Sequence, residues 1–114
     1  MEITSIGRKW RNRHNDNMYN TATTLPTDPA MVTPRLIALR EALGMSKAEF
    51  ADLIGIDRSS YTKMEKSEKP VLPHTAYRIW QLFSVDMNYL YLGQVGGLPS
   101  NISNKVIANL KSLD

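Results

Sequence analysis

A chain of 114 residues with 42% apolar content has room and core material for one domain plus some tail. Fourteen Lys and Arg against eleven Asp and Glu leave a formal charge of +3, a small excess whose meaning depends on where the positive residues sit. No cysteine means no disulfide or thiolate site, two distant histidines (His14 and His74) make no metal set, and no apolar run nears the ~18 residues of a membrane span. The basic N-terminus is followed by no apolar stretch, so it does not read as a secretory signal. An enzyme is not expected, nor a metal or other cofactor; the composition suits a small cytoplasmic protein.

Residues 1 to 32 form one compositional block. "RKWRNRHNDNMYNTATTLPTDP" is polar, rich in Asn and Thr and without sustained period, so it reads as a flexible arm. Its cations Arg8, Lys9, Arg11 and Arg13 around Trp10 have two readings, a solvated tail or an arm that reaches a minor groove. Translation from Met31 is one reading of the change in composition there, and an intact mass including Met1 to Ala30 would exclude it.

The punctuation then becomes dense. Thr33 is the expected cap of a first helix with Pro34 at its first position, Leu36, Leu39 and Leu43 on one face, and Gly44 as its stop. Ser46 and Glu49 have the spacing of a capping box, with Met45 stapling onto Phe50, so a second helix runs to about Ile54 and turns Phe50, Ala51 and Ile54 inward. After Gly55 the same grammar repeats: Asp57 caps, Ile56 staples onto Tyr61, and a third helix covers roughly Arg58 to Lys66. Only Tyr61 and Met64 form its inward stripe.

The loop "SEKPVLP" separates this from an apolar helix over Thr75 to Phe83, with Ala76, Ile79, Trp80 and Phe83 at helical spacing; His74 reads as a helix-start residue. Asp86 caps a short fifth helix closed by Gly93, with Val85 stapling onto Leu90. The final segment "SNKVIANLKSL" places Val106, Ile107, Leu110 and Leu113 on one face, which either packs on its own domain or pairs with a second copy.

Two short helices joined by a glycine turn describe a helix-turn-helix, whose second helix needs a thin apolar anchor and a free polar face. "RLIALREALGMSKAEFADLIGIDRSSYTKMEKSEKP" resembles the lambda repressor and Cro type of this motif, the family also called xenobiotic-response-element regulators, and the likeness extends through "IWQLFSVDMNYLYLG". The resemblance implies an all-α fold: a five-helix domain over 33–93, preceded by the flexible arm 1–32 and followed by a linker and short amphipathic helix, 94–114.

The resemblance also implies roles. Lys47 stands where the family often has a glutamine touching backbone and base, and a lysine there suits phosphate or guanine. Arg58, Ser59 and Lys63 fall where the third helix meets base edges, and Lys66 and Lys69 suit phosphates. Ser60 and Thr62 have two readings, contact with DNA or local backbone satisfaction. Arg40 and Glu65 match an ion pair between helices one and three. Tyr61 replaces a branched aliphatic residue and Trp80 a small one, so a repacked core is expected at both. The implied function is sequence-specific binding of double-stranded DNA by a transcriptional regulator, a repressor acting as a homodimer on a palindromic operator. The rival is an antitoxin-like module that neutralises a partner protein with its tails and autoregulates its operon.

Overall fold

The computed structural model describes residues 25–113; the expected basic arm around Trp10 lies outside them. Among the described residues there are six helices and no strand: α1 (Pro29–Ala42), α2 (Lys47–Ile54), α3 (Arg58–Glu65), α4 (Pro73–Phe83), α5 (Met87–Leu92) and α6 (Ser100–Ser112). The fold is all-α, with α6 following the five helices that the sequence predicts.

The caps explain most of the boundaries. Ser46 Oγ accepts from the Glu49 N–H at 3.1 Å while the Glu49 carboxylate accepts from the Ser46 N–H at 2.9 Å, the reciprocal box that starts α2. Asp57 accepts from the Ser60 N–H at the start of α3, and Asp86 from the Tyr89 N–H at the start of α5. Gly44, Gly55 and Gly93 all sit at positive φ where α1, α2 and α5 end.

The first helix begins earlier than its sequence suggests. Its N-cap is Asp28 with Pro29 behind it, so Thr33 and Pro34 lie inside the helix. Asp28 and Pro29 carry the same cap-and-proline signal one turn upstream, and burial of Val32 and Leu36 holds the helix through the N–H that Pro34 lacks. Thr33 is buried and serves tertiary structure instead: its hydroxyl donates to the Met64 carbonyl at 3.0 Å and accepts from Ser67 Oγ at 2.9 Å. Similarly α4 starts at Pro73, before Thr75, which is buried.

Leu36 and Leu39 of α1, Phe50 and Ala51 of α2, Tyr61 of α3, Ala76 and Ile79 of α4, and Tyr89 and Leu90 of α5 are all sealed from solvent. The Phe50 ring stands at the centre, edge-on to Tyr61 at 5.6 Å and stacked on Phe83 at 5.7 Å.

Two expectations about the core fail. Trp80 is not core: it is half exposed and lies against the equally exposed Tyr77, with ring centroids 5.7 Å apart. Ala76, Ile79 and Phe83 already complete the inward stripe of α4, which leaves Trp80 on its edge. In α6 the buried residues are Ile102 and Val106, packed on α1, while Ile107, Leu110 and Leu113 line an open groove of about 460 Å³ with Met31 and Pro34. The Asn109 amide donates to the Ala38 carbonyl and ties α6 to α1.

Candidate nucleic-acid interface

The surface built by α2, its glycine turn and α3 gathers most of the side chains singled out above. Gly55 ends α2 at φ 77, a left-handed conformation, and the Ile56 N–H donates back to the Ala51 carbonyl. Two residues later Asp57 starts α3, so the second helix leaves the turn at once. Ala51, fully buried and small, lets the two helices approach. From α3 only Tyr61 and Met64 are buried, whereas Arg58, Ser59, Lys63 and Lys66 are exposed.

A buried polar network fixes the base of α3. Arg40 on α1 donates through Nε to Glu65 Oε2 at 2.7 Å and through Nη2 to Oε1 at 3.3 Å, and its Nη1 donates to the Met45 carbonyl at 2.9 Å. The Tyr61 hydroxyl donates to the same Glu65 Oε2 at 2.5 Å. Glu65 keeps only 5% of its side-chain surface, so these donors replace its lost water. Burial opposes the charge on Arg40, yet the bonds to Glu65 and its negative charge together raise the Arg40 pKa. Tyr61 is pushed far above the ordinary tyrosine range, by burial first and then by Glu65. The phenol therefore stays a donor.

The other residues divide by what they touch. Lys47, 58% exposed, brings its ammonium to 4.0 Å from Glu65 Oε1, a loose contact that leaves it facing solvent beside α3. Thr62 donates its hydroxyl to the Arg58 carbonyl at 3.0 Å, a bond within the helix. Ser60 Oγ accepts from Lys69 Nζ at 3.2 Å, which folds the loop cation back over the start of α3.

Arg58 is not free. Its Nε donates to Asp52 Oδ1 at 3.2 Å and its Nη2 to Oδ2 at 2.7 Å, a two-point pair from α3 back to α2. The hydrogen bond lowers the Asp52 pKa and raises that of Arg58, so both stay charged. Asp52 is the residue that sequence reading missed. Its only signal is an acid six positions before an arginine across a helical turn, and that becomes a contact only through the crossing of the two helices.

Among the described residues, no group of three or more acids and histidines could hold a metal, and no helix is long and apolar enough to cross a membrane. Residues 36–90, from the middle of α1 through α5, match the family model described as helix-turn-helix. No curated protein and no solved structure matches the chain.

Proposed function

The chain carries, over residues 36–90, a helix-turn-helix domain of the Cro and lambda repressor family, a DNA-binding family, and from that premise we propose that it is a sequence-specific transcriptional repressor. The reading is carried by one observation: α3 is fixed by Tyr61, Met64 and the Glu65 network while the rest of its surface, basic and hydroxylic, stays outside the core. Such a helix can enter a major groove with α2 across the backbone. Arg58, Ser59 and Lys63 are then the base readers, and Lys47, Lys66 and Lys69 the phosphate contacts. Ser60 is engaged by Lys69, and Thr62 by its own helix, so both act by positioning their neighbours. The DNA-binding unit is taken as residues 29–93 rather than the expected 33–93, because α1 starts at Pro29 and Val32 belongs to the core.

A homodimer presents two such helices about 34 Å apart to a palindromic operator in the cytoplasm. The antitoxin-like reading asks both tails to serve as arms for a partner, and α6 is already packed on α1. No feature of the described residues favours it.

Selection from random duplexes should return a palindrome, and fluorescence anisotropy should show affinity falling steeply with salt. Lys63→Ala is expected to weaken the selected site about tenfold and relax preference at one base position, whereas Lys66→Ala should weaken all duplexes alike and flatten the salt slope. Absence of salt-sensitive binding would overturn the proposal.

A further inference from the structure

The Asp52–Arg58 pair has no evident part in holding the fold. Both side chains are largely exposed, 57% and 66%, and an ion pair in that setting contributes little because water competes for both partners. The neighbouring acids all have structural duties: Glu49 closes the capping box, Asp57 caps α3, and Glu65 anchors Arg40 and Tyr61. The Asp52 carboxylate, by contrast, spends both its oxygens on the first side chain of α3.

We propose that Asp52 is a specificity-determining residue that competes with DNA for the Arg58 guanidinium, keeping Arg58 paired where the facing base is not guanine and so softening the preference that Arg58 reads. The inference rests on the DNA-binding reading above. The Nε–Nη2 edge of Arg58 is satisfied in the free protein by two carboxylate oxygens in one plane. To leave Asp52 without losing a hydrogen bond, the fork needs two acceptors side by side. A guanine offers O6 and N7 in that arrangement, whereas adenine offers only N7 and thymine only O4. Exchange of Asp52 for guanine is therefore two bonds for two; opposite adenine or thymine it is two for one and opposite cytosine two for none, so at those bases Arg58 keeps its pair with Asp52. Phosphate can also take both bonds, but it is present at every sequence and shifts affinity without shifting preference. An Arg58 with no competitor has no pair to fall back on at those bases, so a mismatch there costs it more relative to guanine.

Asp52 also carries a negative charge near the duplex, and its removal strengthens binding to any sequence. A double-mutant cycle separates that uniform effect from the competition. Asp52→Asn, Arg58→Ala and the double variant are to be titrated by anisotropy against three sets of duplexes: the site selected by the native protein, that site with each base pair substituted in turn, and an unrelated sequence. Thermal unfolding by circular dichroism checks that each variant is folded. Asp52→Asn should strengthen the selected site about tenfold more than the duplexes mismatched at the guanine that Arg58 reads, so that preference for guanine at that position grows. Arg58→Ala should remove preference at the same position, and adding Asp52→Asn to it should change nothing there. If Asp52→Asn strengthens every duplex by one common factor, or its effect on preference persists without Arg58, the competition is refuted while DNA binding stands. A native protein that binds no duplex refutes the DNA-binding reading and this inference with it.

Discussion

Glu65 accepts hydrogen bonds from Arg40 and Tyr61 while nearly excluded from water, which makes it sensitive to loss of any partner. Glu65→Ala would leave the mostly buried Arg40 charge uncompensated and the Tyr61 hydroxyl without an acceptor. The expected cost is about 3 kcal/mol in urea unfolding, the lower end for a broken buried pair because Arg40 keeps its bond to the Met45 carbonyl. Tyr61→Phe removes one donor and leaves Arg40 in place, at about 1 kcal/mol. The same tyrosine sets a pH limit. Burial raises the Tyr61 and Tyr89 pKa values above that of a solvated phenol, so the unfolded chain ionises first. Their contribution is intact below the unfolded value, about 10, and is lost as pH rises above it. The urea midpoint should fall on that alkaline side, and less steeply in Tyr61→Phe. At this scale the sequence was legible where a residue acts on its own helix: Ser46, Glu49, Asp57 and Asp86 are caps by position alone. The Arg40–Glu65 pair joins residues far apart in the chain, and only likeness to a family pointed to it. Asp52 against Arg58 had neither a local motif nor that likeness.

Among the elements, the glycine turn decides how α3 is presented. Gly55 lies at φ 77, and a Cβ added there would meet no atom within 4 Å. Gly55→Ala therefore carries only the backbone cost of a left-handed residue, about 1 kcal/mol, without a clash. Gly55→Asn should cost less, because a short polar side chain tolerates that conformation. Comparison of the two variants by thermal unfolding tests this, and equal losses would show that something other than φ is at stake. The helix starts show why legibility varies from element to element. α2 and α5 were readable because a polar cap, a staple and a terminal glycine agree in each, and α3 because its cap and staple agree, with Ser67 rather than a glycine at positive φ beyond its end. α1 carries two cap-plus-proline pairs, Asp28–Pro29 and Thr33–Pro34, and local grammar cannot rank them. Contact between the Thr33 hydroxyl and the end of α3 ranks them, and that contact exists only after the chain has folded. Trp80 fails for a related reason: spacing gives its angular position on α4, but which flank is covered depends on the neighbouring helices.

Across the described residues, α1 is the element that the helix-turn-helix and the C-terminal part share. It holds α3 through Arg40 and Thr33, α5 through the Tyr89 hydroxyl on the Arg35 carbonyl, and α6 through Val106, Ile102 and Asn109. Loss of packing at α6 should therefore lower the stability of the entire domain while leaving the α2–α3 surface unchanged in shape. Val106 is fully buried, and Val106→Ala removes two carbons from a site that α1 and α6 close together. The expected loss is about 2 kcal/mol, transfer of the lost carbons plus the cavity they leave. If α6 belongs to one cooperative unit with the rest, unfolding followed by Trp80 fluorescence on α4 and by circular dichroism should shift together by that amount. Affinity for the selected duplex, measured well below the lowered transition, should stay within about twofold, since no group on α2 or α3 has been touched. Two separated transitions would instead show α6 to be an appendage that the DNA-binding helices do not need in order to fold.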